Sequence, residues 1–236
     1  MRALSPGAAA APQPPVAHPP DAAPCVGVLA AGLGRRMGNC AKPALALGGI
    51  SVLERLTAAF RSAGCEHVSL VLGPYRDALM PLADRCRARP LLHTLAEPTL
   101  PDSQRLAIED HVSSHAGRDL MLVVADLPLL TASHVRSLLA AWQHRPAPVD
   151  ALIPTVDGAP GHPVVLSWQA VSAIRAQPPS AGVRDWMAAH AASLWRWPCA
   201  DAAYVTDIDT PEDLARVRAA FAPPGPAAPP RQPQSG

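Results

Sequence analysis

Cationic side chains follow directly on a glycine turn in Ala31-Gly32-Leu33-Gly34-Arg35-Arg36-Met37-Gly38, and Lys42 comes just before Pro43. Free backbone N–H groups in such a turn, flanked by guanidinium and ammonium groups, suit a chain of anionic phosphates. Two carboxylates stand much further along. Asp126 follows the apolar run 120–125 and precedes Leu127-Pro128, and Asp209 lies in Asp207-Ile208-Asp209-Thr210-Pro211. A carboxylate at the tip of a buried strand can hold Mg²⁺, which takes oxygen ligands and keeps waters and substrate phosphates in its shell. Asp207 and Asp209 fall on one side of a short extended segment, because extended side chains repeat every two residues. His162, between Gly161 and Pro163, can contact a substrate or hydrogen-bond its own loop. Each position also has a structural reading: an ordinary strand-to-helix turn with solvated arginines, and an aspartate capping the turn after its strand.

The loop is not one of two common phosphate cradles. A dinucleotide fingerprint needs glycine where Met37 stands, and a Walker A loop needs Lys and Ser or Thr directly after a glycine, where Gly38 is followed by Asn39.

The elements that must position these residues alternate. The apolar run Val26–Ala30 reads as a strand entering the turn. Ser51 and Glu54 then form a capping-box pattern for a helix with Leu53, Leu56, Ala59 and Phe60 on one face. Strand Val68–Leu72, a helix through Ala78, Leu79 and Leu82, and a strand near Leu91-Leu92 continue the pattern. The next helix is expected to start with Asp102 or Ser103 as N-cap. His111 and His115, four apart on it, have a spacing that can bind metal, but with no acidic or cysteine partner close by they read as a solvated face. The apolar run before Asp126 reads as a central strand, followed by a helix from Thr131 through Val135, Leu138, Leu139 and Trp142. Strands at Ala151–Val156, Val164–Leu166 and Leu194–Trp197 come next, and Thr210-Pro211-Glu212-Asp213 specifies a last helix start. Alternating strands and helices predict a mainly parallel sheet covered on both faces, with ligands at the carboxyl ends of the strands.

Composition bounds the rest. Of the 236 residues, 29 are proline, gathered at the two ends; segments 1–24 and 222–236 hold almost no large apolar residue and are expected to be disordered Pro/Ala-rich tails around one domain at 25–221. A net charge of +1 without a Lys/Arg cluster argues against a nucleic-acid partner. Five scattered cysteines, never in a C-x-x-C pair, indicate neither a disulfide framework nor a zinc site, and so a reduced cytoplasmic protein. No apolar run reaches the length of about 18 residues that a membrane span needs.

Taken together, several stretches resemble one family. Leu29-Ala30-Ala31-Gly32-Leu33-Gly34-Arg35-Arg36-Met37-Gly38 with Lys42-Pro43 is similar to the signature loop of MobA-like nucleotidyltransferases of the molybdenum cofactor cytidylyltransferase and guanylyltransferase type. Ala125-Asp126-Leu127-Pro128 resembles their Gly-Asp-x-Pro metal motif, Gly161-His162-Pro163-Val164 their substrate loop, and the stretch from Asp207 to Leu214 their closing motif. The resemblance implies a three-layer αβα sandwich with a mostly parallel mixed sheet, and transfer of a nucleotidyl group from an NTP with release of pyrophosphate. It implies that Leu29, Ala30, Ala31, Gly32 and Gly34 bind the nucleotide with Ser103, that Arg35 and Lys42 act on the triphosphate, and that Asp126 and Asp209 hold Mg²⁺. Asp207 is a further metal candidate, and His162 would line the acceptor pocket. Leu-Ala-Ala-Gly resembles the cytidylyl-transferring branch and favours CTP, with molybdopterin as acceptor and a molybdoenzyme as possible recipient of the product. Two positions depart from the pattern: Ala125 replaces a glycine, and Thr99-Leu100-Pro101-Asp102 stands where such cytidylyltransferases carry Gly-x-Ser-x-Ser. A sugar or polyol phosphate acceptor, or a non-catalytic nucleotide-binding accessory protein, are the alternatives.

Overall fold

Strand β1 (Cys25–Ala30) is buried along its whole length, with Val26, Val28 and Ala30 in one apolar cluster and Cys25 and Leu29 in another. A strand buried on both sides requires cover on both sides, and helices supply it. The computed structural model describes residues 23–221. The tails expected at 1–24 and 222–236 lie outside that range except for Ala23 and Pro24.

After β1 come a small hairpin of β2 (Ala46–Leu47) and β3 (Ile50–Ser51), then β4 (Val68–Leu72), β5 (Arg89–Leu92) and β6 (Leu120–Val124). The second half adds β7 (Ala151–Val156), β8 (Ala159–Pro160), β9 (Val164–Leu166) and β10 (Leu194–Pro198). The main sheet runs β10-β7-β9-β6-β1-β4-β5, with β8 paired to β7. It is parallel except where β9 lies antiparallel between β6 and β7 and where β8 folds back on β7. One face is covered by α1 (Val52–Ser62), α2 (Arg76–Arg85) and α4 (Ala132–Gln143), through Leu53, Leu56, Phe60, Leu79, Leu138 and Trp142. The other is covered by α3 (Leu100–Ser114), α5 (Trp168–Arg175) and α6 (Val183–Ala189), through Ile108, Val171, Ile174 and Trp186. Helix α7 (Pro211–Ala220) packs Leu214 and Val217 against Leu47, Val52 and Ile208. This is the three-layer α/β sandwich with a mostly parallel mixed sheet. A fully buried side chain such as Phe60, at 0% exposure, is worth about 1.5–3 kcal/mol of transfer free energy.

Two local expectations are corrected. Helix α3 begins at Leu100: Thr99 is the N-cap, its hydroxyl accepting from Asp102 N at 3.3 Å while Asp102 Oδ2 accepts from Thr99 N at 2.8 Å. Pro101 fits the first turn of a helix, where its missing N–H has no partner to lose, so Asp102 closes the box and Ser103 turns inward, buried. The second correction concerns His111 and His115. Ser103, Ala107, Ile108 and His111 form the buried stripe of α3, which places His111 on the inner face instead of a solvated one. Its Nε2 lies 2.8 Å from Arg118 O, and the His115 ring lies 4.6 Å from that of His67.

Candidate active site

The chain leaves the sheet at Ala30 and turns sharply. Gly34 has φ 58, and a Cβ there would run into the Cys40 carbonyl oxygen, so glycine is required. Met37 N and Asn39 N both donate to Gly34 O, at 2.9 and 3.1 Å, and Tyr75 OH donates to Leu33 O at 2.9 Å. The turn is thereby pinned from within and from α2's side. On the neighbouring strand, Ala125 N donates to Leu29 O at 3.1 Å, carrying the pairing one residue past the end of β6. Asp126 is delivered beside the turn. Leu29, Ala30, Ala31, Gly32, Gly34, Lys42, Ser103 and Asp126 line one cavity of about 180 Å³, closed on the far side by Pro98, Thr99 and Leu100.

At the mouth of this cavity Lys42 Nζ lies 3.1 Å from Asp126 Oδ2 and 2.5 Å from Asp209 Oδ1. Arg36 Nη2 lies 2.8 Å from Asp209 Oδ2. The Lys42 side chain is only 14% exposed. Burial alone would lower its pKa, but hydrogen bonds and charge from Asp209 and Asp126 outweigh that and hold the ammonium above the ordinary lysine value. Backbone contacts place Asp209: Ile208 N donates to Asp126 O at 3.2 Å, and Asp213 Oδ2 accepts from the N–H groups of Asp209 and Thr210 at 3.1 and 2.9 Å. The start of α7 thus orients the second carboxylate against the first. Desolvation, followed by the charges of Asp209 and Asp126, pushes the Asp207 carboxyl up.

Two carboxylates converging on one cation form an all-oxygen donor set suited to a hard divalent ion. Among the described residues no three His, Cys, Asp or Glu side chains are grouped to hold a metal ion. An ion here would complete its shell with water and phosphate oxygens, as Mg²⁺ characteristically does.

Arg35 and His162 stand apart from that cluster. Arg35 Nη2 lies 2.6 Å from Glu97 Oε2, both side chains being largely exposed, while Arg35, Arg36, Lys42 and Asp209 together line a shallow recess beside the main cavity. The contact of Arg36 with Asp209 was not anticipated from sequence; its signal was only its adjacency to Arg35. His162 is fixed by its backbone: its N–H donates to Tyr204 O at 2.9 Å and Gly161 N donates to Pro154 O at 2.8 Å. A Cβ on Gly161 would run into the Tyr204 carbonyl oxygen. Burial lowers the His162 pKa, opposed by a backbone hydrogen bond at Leu122 and by the Asp126 charge. Its Nδ1 is buried and has no hydrogen-bond partner among the described residues. His162 lines a wide cleft that adjoins the cavity at Lys42 through Leu100.

A glycine turn at the carboxyl end of a parallel sheet, with two carboxylates opposing it, lies where open α/β sheets bind their ligands. The chain belongs to the family of the MobA-like NTP transferase domain, whose model matches residues 26–194. Among solved structures it is similar to the rv0371c homologue of Mycobacterium sp. strain JC1, at 24% identity and TM-score 0.65 over 84% of this chain and 96% of that one. A nucleotidyl transferase of Methanothermobacter thermautotrophicus matches at 18% identity and TM-score 0.68, over 84% and 96%. Rv0371c of Mycobacterium tuberculosis H37Rv, in complex with manganese, matches at 20% identity and TM-score 0.63, over 84% and 99%. These likenesses concern the fold. No curated protein matches the chain. No helix among the described residues is long and apolar enough to cross a membrane.

Proposed function

We propose that the protein moves CMP from CTP onto a phosphorylated acceptor of the molybdopterin type, releases pyrophosphate and works with Mg²⁺. The observation that carries this reading is the Lys42 ammonium, 3.1 and 2.5 Å from Asp126 and Asp209 at the mouth of the cavity lined by the glycine turn. In this reading the Leu29–Gly34 backbone and Ser103 hold the nucleotide, and Arg35 and Lys42 take up the triphosphate charge. An acceptor phosphate oxygen attacks the α-phosphorus in line, and the bond to the β-phosphate oxygen breaks as the new one forms. The negative charge leaving with pyrophosphate is met by Arg35 and Lys42, so positioning and fixed charge do most of the work. No general base is required, because a phosphate acceptor is already ionised. Asp126 and Asp209 would hold Mg²⁺, which would supply Lewis-acid stabilisation of the phosphate charge. His162, with its pKa lowered by burial, is neutral near pH 7 and lines the cleft that would take the acceptor.

Several features support the finer points. The manganese complex of Rv0371c supports a divalent ion, and Leu29-Ala30-Ala31-Gly32 supports CTP by its likeness to the cytidylyl-transferring branch. Five free thiols support a cytoplasmic setting, in which a molybdoenzyme would receive the product. The test combines thermal stabilisation of the full chain by CTP, GTP, UTP and ATP with Mg²⁺, and pyrophosphate release with molybdopterin, sugar phosphates and polyol phosphates. Stabilisation by CTP and release with molybdopterin are expected, since a ligand that binds only the native state raises its melting temperature. Stabilisation by GTP alone overturns the base assignment, and CTP binding without release from any acceptor indicates the accessory role.

A further inference from the structure

The cleft that holds His162 has a volume of about 610 Å³, against about 180 Å³ for the cavity at Lys42. The larger volume is in the range of pockets that enclose whole small molecules. Its wall is apolar, built from Ile153 of β7, Val164 of β9, Val183 and Met187 of α6 and Leu194 of β10. Two guanidinium groups interrupt it. Arg184 in α6 and Arg196 in β10 both line the cleft, and neither makes an ion pair or side-chain hydrogen bond among the described residues. Some other exposed arginines are paired with carboxylates, Arg35 with Glu97, Arg85 with Glu54 and Arg175 with Glu109, while Arg87 and Arg218 share the unpaired state of Arg184 and Arg196 but lie outside the cleft.

The placement of Arg196 runs against the pattern of its strand. Alternation along β10 sends Trp195 and Trp197 toward the core on the α1 and α4 side, and Leu194 toward the opposite core. Arg196 follows Leu194 onto that second face, where its register partner on β7 is Ile153. A cation on an apolar face that shares its cleft with a second free cation suits an oxyanion carried on an apolar body. Neither arginine lines the cavity or recess that contains Lys42, Asp126 and Asp209. His162 also lines this cleft, with its unpaired Nδ1 buried.

We propose that the acceptor carries two anionic groups: a phosphoryl group that reacts near Asp126 and His162, and a second oxyanion held by Arg184 and Arg196 beside an apolar body. This rests on the nucleotidyltransferase reading given above. Arg184 and Arg196 are then specificity-determining residues that select against simple sugar and polyol phosphates, which have only one such group.

Phenylphosphonate and benzoate, each an apolar ring bearing one oxyanion, serve as probes by titration calorimetry against the full chain. At least one is expected to bind saturably, the stronger of the two telling phosphate from carboxylate. The double variant Arg184→Gln/Arg196→Gln is expected to lose about tenfold or more in affinity, as charge-assisted hydrogen bonds are lost, with its melting temperature unchanged. Lysine at both positions is expected to recover part of that loss. Arg218→Gln, which removes an exposed cation of α7 outside the cleft, is expected to change nothing. The proposal is overturned if neither probe saturates, if the double variant binds like the wild type, or if Arg218→Gln costs as much. Binding of CTP, GTP, UTP and ATP with Mg²⁺ is measured in parallel. Failure of all four removes the nucleotidyltransferase reading, whereas normal nucleotide binding with failed probe binding removes only the second-oxyanion proposal.

Discussion

At Lys42 a single ammonium faces two carboxylates from distant parts of the chain, and Arg36 adds a second cation to one of them. Removing one carboxylate leaves Lys42 paired with the other, so no buried charge is orphaned. Asp126→Ala is therefore expected to keep its melting temperature close to that of the wild type. Turnover, followed as pyrophosphate release, is expected to fall about 10²- to 10³-fold, the size of effect seen when one preorganised charge-stabilising group is lost. Near-normal turnover would remove Asp126 from the metal role. At this scale the sequence pointed to Lys42, Asp126 and Asp209 because each sits beside a glycine turn, a strand end or a helix start. Only the family resemblance singled out Arg35 and left Arg36 without a role. Neighbours in a tight turn point in different directions, and only the fold decides that one meets Glu97 and the other Asp209.

The elements depend on their caps. Ser51 Oγ accepts from Glu54 N at 3.2 Å, and Glu54 Oε2 accepts from Ser51 N at 3.0 Å, a capping box legible in the sequence. The hydrogen bond from the Ser51 side chain, then one from Arg85, lowers the Glu54 pKa from 4.5 to about 2. A depressed carboxyl stabilises the fold above its unfolded value and loses that contribution as pH falls through its folded one. The stability advantage of the wild type over Glu54→Gln, read by urea unfolding, is therefore expected to be full above pH 4.5 and to vanish toward pH 2. An advantage that persists unchanged at pH 2 would contradict the pairing. The loop at Gly161 and His162 depends on close backbone approach instead. A Cβ on Gly161 meets the Tyr204 carbonyl, so Gly161→Ala is expected to cost about 1–3 kcal/mol in chemical denaturation, the usual size for overpacking. The late start expected for α3 illustrates the limit of local reading: Pro101 marks a loop in one context and a first helical turn in another, and Thr99 settles it through its side-chain bond to Asp102 N.

Across the whole molecule the candidate site lies at the carboxyl ends of β1 and β6, while His67, His111 and His115 gather at the amino ends. Burial, then the nearby His67 and His111, lowers the His115 pKa from 6.5 to about 4, and Arg118 and Arg89 act in the same direction. A depressed histidine leaves the unfolded chain binding more protons. Stability is therefore complete above pH 6.5 and declines as pH falls toward about 4. His115→Gln is expected to flatten that part of the stability profile in thermal melts while leaving CTP binding unchanged, because the two sites occupy opposite ends of the sheet. A loss of CTP affinity in this variant would show coupling between the ends.

The sequence by itself determined the alternation of strands and helices, the apolar faces and the helix caps. Those depend on residue periodicity and on side chains bonding within a few positions of themselves. It also supplied the glycine turn and the family likeness, which are contiguous in the chain. The tertiary structure decided what depends on distant segments meeting: the placement of Asp209 against Asp126 through Ile208, the inward turn of Ser103 and His111, and the exposure of Arg184 and Arg196 on an apolar wall. No local pattern encodes these, because each is fixed by sheet order and by helices packing from opposite ends of the chain.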